Sequence, residues 1–314
     1  MRVAALCGGV GAARLLPGLA AVVGPRLLTA IVNVGDDCDL HGLAISPDLD
    51  TITYTVAGQI NAEAGWGLSG DTWGAMAAMG RFAPVVPPGS QAGCTWFSLG
   101  DRDLATHLYR TGRRAEGAPL SQVTREVASA FGVGFGLLPV TDDRLRTLML
   151  VDGEELGFQS WFVGRRHQGS VQAVRFEGAE AAVPAPGVLE ALADADRIVV
   201  CPSNPIVSIG PLLAVPAVRH ALERQRHQVI AVSPIIAGAA LKGPAASLLA
   251  DLGHEVSAVG VARAYKSFVS ALVLDQADAD LVPAVEAEGV HAVVAPTVMR
   301  SQADAEALAC LLLA

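Results

Sequence analysis

Apolar residues fall in short runs without polar alternation, beginning with Val3–Cys7 and Thr29–Val34. Such a run predicts a strand buried on both faces, the usual state of a strand in a parallel sheet. Between the two, Gly8-Gly9-Val10-Gly11 makes a turn and Ala12–Val23 has helical composition. Pro17 removes one helical hydrogen bond there and predicts a kink or an early stop. Strand, glycine turn, helix and strand open a βαβ unit, whose ligands bind at the carboxyl ends of the strands.

The same alternation resumes late in the chain. Val188–Ala193 reads as helix, Arg197–Cys201 as strand, Leu212–Gln225 as helix, Val229–Ser233 as strand and Ala245–Leu252 as helix. Val256–Val259, Ala271–Leu274, Val290–Ala295 and Ala303–Leu313 continue it. Between these halves, Thr51–Ala83 reads mostly helical, and Val85–Gly93 is a Pro/Gly/Ser loop. Asp103–Thr111 and Ser121–Phe131 predict two more helices, the second capped by Ser121. Leu145–Val151 and Gly157–Val163 predict strands around the Asp152-Gly153 turn. The expected fold class is α/β: a doubly wound, Rossmann-like parallel sheet with a largely helical insertion covering its ligand edge. Residues 1–51 and 171–314 form the nucleotide-binding core in this reading, and residues 52–170 the insertion.

Composition agrees with a packed enzyme-sized chain. Of 314 residues, 52% are hydrophobic and 17% charged, too apolar for a disordered chain. Charged residues Arg14, Arg26 and Asp36 interrupt the N-terminal stretch, and Val229–Leu241 is shorter than the ~20 residues a bilayer span needs. No membrane partner is expected. The net charge of −9 argues against a nucleic-acid partner, which needs a phosphate-neutralising surface. Cys7, Cys38, Cys94, Cys201 and Cys310 form no CxxC pair, and the apolar surroundings of Cys7, Cys201 and Cys310 predict buried, reduced thiols. With no export signal read in the first residues, the expected compartment is the cytoplasm.

Candidate chemistry gathers at predicted strand ends. Glycines at 8, 9 and 11 let the backbone approach an anion, and the following helix start offers N–H groups. Neither a Walker A sequence nor a complete Gly-x-Gly-x-x-Gly fingerprint is present, since Arg14 stands at the last position. That departure disfavours an NAD(P)-dependent oxidoreductase. Asp36, Asp37 and Asp39 follow the second strand, while Asp48 and Asp50 are expected on one side of an extended segment. Carboxylates crowded at a strand end repel one another unless a cation neutralises them, and Mg²⁺ takes such hard oxygen ligands. Pro202-Ser203-Asn204-Pro205 and Ser233-Pro234 supply further small polar loops at the same edge, enough for a nucleotide-sized ligand.

Several segments in register resemble one family. Gly8–Arg14, Asn33–Asp37, Ser46–Thr51, Leu99–His107, Phe158–Trp161, Pro202–Gly210 and Ser233–Ile236 are similar to the CofD/FbiA family of 2-phospholactate transferases of coenzyme F-420 biosynthesis. The resemblance implies that the ribityl hydroxyl of the deazaflavin Fo attacks a guanosine diphosphate diester carrying a phospholactyl-type group. A phosphodiester forms and GMP leaves. It implies Asp36 and Asp50 as catalytic and metal-site carboxylates for Mg²⁺, supported by Asp37 and Asp48, with Asp50 alternatively contacting Fo. Gly8, Gly9, Gly11, Ser203 and Asn204 would hold the guanosine diphosphate part. Further substrate contacts are expected at Asn33, Ser98, Asp101, Arg102, Ser208, Ser233 and Pro234. Gln159 and Trp161, with Trp66 and Trp73, would cover the flat deazaflavin. The family also implies a homodimer. Asp39 departs from relatives that carry Trp there, and Val85–Gly93 looks like an extra insertion. A non-catalytic, YvcK-like sugar-nucleotide-binding regulator is the alternative, since it shares the glycine-rich opening and the sheet. It has no evident use for the Leu99–Asp103 and Phe158–Trp161 segments.

Overall fold

A computed structural model describes residues 1–87, 90 and 92–314. Part of the Val85–Gly93 loop therefore lies outside the described residues. Seven parallel strands form the central sheet, in the spatial order His291–Ala295, Ala271–Asp275, Val229–Val232, Arg197–Val200, Val3–Cys7, Leu28–Val32 and Gly136–Pro139. Val3–Cys7 is buried throughout and pairs on both sides, with Leu28–Val32 and with Arg197–Val200. Successive strands run outward in one direction from Val3–Cys7 and then, after the chain returns, in the other. That reversal opens a crevice beyond the carboxyl ends of Val3–Cys7 and Arg197–Val200.

Local signals were overridden where packing is dense. The helix Gly9–Val23 runs through Pro17 without a break and stops only at Gly24, where φ is 85°. Its neighbour Gln302–Leu313 packs so close that a Cβ on Gly18 would lie 2.4 Å from the Ala305 backbone. Burial of this face outweighs the one hydrogen bond that Pro17 cannot make. Pro216 has the opposite effect. It divides the expected helix Leu212–Gln225 into Gly210–Ala214 and Pro216–Arg224, with Val215 extended between them.

The middle of the chain is less purely helical than expected. Helices Asp103–Ala115 and Leu120–Ala130 are present, but Gly136–Pro139 returns to the edge of the main sheet. Ser121 does not cap the second helix; it lies in its first turn and binds Asp142. Arg146–Val151, Glu154–Gly157 and Val171–Glu177 form a separate antiparallel sheet. Gly157–Val163 is not a strand: Ser160–Gly164 coils into a π turn, with Phe158 stacked on Phe162 at 5.3 Å and Trp161 buried beneath. Cys7 and Cys201 are buried with their sulfurs 3.6 Å apart, whereas Cys310 is exposed on an outer helix face, contrary to expectation. Among the described residues, no single helix is long and apolar enough to cross a membrane.

Candidate active site

A cleft of about 500 Å³ lies over the carboxyl ends of the strands, walled by the strand-end turns, the insertion and the loop 236–245. The glycine turn forms its floor because nothing larger fits. A Cβ on Gly8 would come 2.6 Å from that of Ser208, and one on Gly11 would come 2.0 Å from the Pro202 carbonyl oxygen. Gly8 N–H donates to Ser203 Oγ at 3.3 Å, tying the two strand ends together. Gly9 N–H donates to Asp48 Oδ1 at 2.7 Å, so a carboxylate already sits at this helix start.

Asp48 and Asp50 are not on one side of an extended chain. Both occupy the first turn of the helix Pro47–Val56, which Pro47 starts. Two residues apart on a helix, their side chains diverge, and two acidic centres result.

Asp36 and Asp48 form the first centre. The Asn33 amide lies between them, donating to Asp36 Oδ1 at 3.3 Å and Asp48 Oδ2 at 2.9 Å, and Gln159 donates to Asp36 Oδ2 at 3.2 Å. All these partners are neutral. Burial, then repulsion from Asp48 and Asp37, holds the Asp36 carboxyl well above the usual carboxylate range. Burial likewise pushes Asp48 up to about 6, against the hydrogen bonds from Asn33 and Gly9. Two cleft-lining carboxylates with no cationic partner among the described residues are a donor set suited to a divalent ion.

Asp50 belongs to the second centre. Arg110 donates to both its oxygens, and His107 Nδ1 lies 3.7 Å from Oδ2. On the other side of the imidazole, Nε2 is 3.2 Å from Asp103 Oδ2, and Tyr54 donates to Asp103 Oδ1 at 2.6 Å. Burial would raise Asp103, but the His107 hydrogen bond and charge prevail and hold it below the usual range. Asp50, Asp103 and His107 each offer a ligand atom within 4.8 Å of the others, yet Arg110 already compensates Asp50. Of the two aspartates expected to act together, Asp36 shares the Asn33 amide with Asp48, while Asp50 is paired with Arg110. Asp103, His107 and Arg110 were not singled out as site residues, although Asp103, Thr106, His107 and Arg110 recur with helical period on one buried face.

The remaining expectations divide cleanly. Ser98, Gln159, Ser203, Asn204, Ser208, Ser233 and Pro234 line the cleft. Asn204 Oδ1 accepts from the Ile206 and Val207 amides, and among the described residues its buried Nδ2 has no partner. Asp37, Asp101, Arg102 and Trp161 do not line it. Asp37 turns back to accept from Ser46 Oγ at 2.8 Å, and burial pushes it up to about 8. Asp101 accepts from the Gly74 and Ala75 amides, and Arg102 donates to the Ser69 carbonyl, so both brace the loop 69–75. Trp161 is only 1% exposed, its indole donating to the Gln168 carbonyl; it is core, and Trp66 faces the cleft instead. Trp73 packs against Trp66 from outside the lining.

With this geometry in place, comparison with known proteins is decisive. Residues 3–308 match the family described as 2-phospho-L-lactate transferase CofD. The chain belongs to the CofD family. Its CofD-family relatives include a phosphoenolpyruvate transferase of Kitasatospora aureofaciens, 43% identical over 98% of this chain and 95% of that protein. Another, from Mycolicibacterium smegmatis, is 38% identical over 99% of this chain and 96% of the relative. A solved structure of a upf0052 family member from Bacillus halodurans superimposes with a TM-score of 0.62, covering 100% of this chain and 98% of that one. At 16% identity it shows that this CofD-family chain shares its α/β fold, and no more.

Proposed function

We propose that the protein transfers a phospholactyl-type group (phospholactyl, phosphoenolpyruvyl or phosphoglyceryl) from a guanosine diphosphate diester to the ribityl hydroxyl of Fo. GMP leaves as the new phosphodiester forms. The names of the relatives favour the phosphoenolpyruvyl donor. The observation that carries this reading is the pair Asp36 and Asp48, without a cationic partner among the described residues, beside the glycine turn of a cleft of about 500 Å³.

Mg²⁺ is the ion we assign to Asp36 and Asp48, where it would offset phosphate charge. The chain's own groups do the positioning. Ser203 and the turn at Gly8–Gly11 shape the diphosphate end, and the unpartnered Asn204 amide supplies a donor there. Asp50, anchored by Arg110, lines the cleft and can accept the hydrogen bond of the attacking hydroxyl. Trp66 offers a partly exposed ring for stacking, and Phe158 and Phe162 complete an apolar wall. The same reading takes the protein as a cytoplasmic homodimer, the dimer being checked by sedimentation.

Incubation with Fo, Mg²⁺ and each guanylylated donor tests the reading by mass spectrometry. The expected products are the Fo phosphodiester and GMP in equal amounts. Binding of UDP-sugars without binding of Fo would support the regulator instead.

A further inference from the structure

The two acidic centres leave one charged group of the cleft unexplained. Lys242 stands in the loop between the short strand Ala239–Ala240 and the helix Ala245–Asp251, lines the cleft and is exposed. Among the described residues it enters no ion pair, whereas Arg110 is held by Asp50 and Arg14 donates to the Met299 carbonyl. Its ammonium is not turned to the glycine floor. A Cβ on Gly65 would lie 3.1 Å from Lys242 Nζ, so the charge rests against the main chain next to Trp66. Trp66 lines the same cleft with 42% of its surface exposed. An unpaired cation beside an accessible aromatic face is a receptor for a flat anion: the ring takes the plane and the ammonium the charge.

We infer that Lys242 is a specificity-determining residue that reads the acceptor, pairing with negative charge delocalised over a conjugated ring stacked on Trp66. This rests on the transferase reading and assigns the ring end of its acceptor. The donor's carboxylate is the competing claimant. The position favours the ring, because Lys242 meets the insertion wall bearing Trp66, while the diphosphate end is built at Gly8–Gly11 and Ser203.

The test follows the absorbance of Fo as it binds the full chain in the presence of GDP and Mg²⁺, at a pH where the free ring is half ionised. Bound to the unaltered protein, the ring spectrum should move toward that of the anion. With Lys242→Met it should move toward the neutral form, and Fo should bind about tenfold more weakly, the scale of one charge-assisted contact. Lys242→Arg should restore the anionic spectrum, and GDP affinity should be the same in all three proteins. Unchanged Fo binding and spectrum in Lys242→Met, or a loss confined to the guanylylated donor, overturns the assignment. If the unaltered protein binds Fo as its anion yet forms no product, the transferase reading fails and the Lys242 assignment stands. If it binds no Fo at all, both fail.

Discussion

Replacing Asp48 by Asn should reverse its effect on stability between acid and neutral pH. The Asp48 carboxyl is raised from 3.8 to about 6 in the folded protein. The folded state therefore holds a proton that the unfolded chain has released. Stability from this group is complete below about pH 4 and is lost as pH rises through about 6. A difference of ~2 pH units corresponds to about 3 kcal/mol lost at neutral pH in the absence of metal. An Asn at 48 does not ionise, and its oxygen can still accept from Gly9 N–H. Its amide would face the Asn33 amide, so the 2.9 Å hydrogen bond is lost at a cost of about 1–2 kcal/mol. The balance at pH 7.5 without metal is a gain of about 1–2 kcal/mol over the unaltered protein, and at pH 4 a loss of similar size. Urea denaturation in EDTA at both pH values reads this directly. Mg²⁺ should then stabilise the unaltered protein at pH 7.5 and leave Asp48→Asn nearly unmoved. A variant that is less stable at both pH values, or that responds fully to Mg²⁺, refutes the reasoning.

Four further substitutions probe separate parts of the site and its support. Arg110→Met strands the buried Asp50 without its cation and should cost about 3–5 kcal/mol by chemical denaturation, whereas no change would mean that Asp50 is solvated. Gly11→Ala forces a Cβ onto the Pro202 carbonyl; stability should fall by about 1–3 kcal/mol and the donor KM should rise, with Fo binding preserved. Trp161→Ala should cost about 3–5 kcal/mol because it empties core, while Trp66→Ala should leave the denaturation midpoint nearly unchanged and raise the acceptor KM. Exchange of those two outcomes would return Trp161 to the role first read from sequence.

Six of the seven strands were legible because they are unalternated apolar runs ending in small polar turns, whereas Gly136–Pro139, inside the segment read as an insertion, was not. The crevice followed from the same turns. What the chain's local pattern could not carry was the direction of side chains along Ser46–Asp50. Read as extended, it puts both aspartates on one face; as the helix that Pro47 begins, it sends one to the glycine turn and the other to Arg110. The partners of Asp50 lie about sixty residues away on Asp103–Ala115, a separation across which no local signal reaches. Trp161 was misplaced for a related reason. Its role was implied by the family resemblance and its segment read as a strand, whereas the aromatic residues at 158, 161 and 162 pack as a turn that buries the indole.

The most direct test of the metal centre is a crystal grown with Mn²⁺, GDP and Fo, and examined for anomalous scattering. The peak is expected between the carboxylates of Asp36 and Asp48, next to the GDP phosphates. A peak among Asp50, Asp103 and His107, with Asp36 and Asp48 bare, would contradict it.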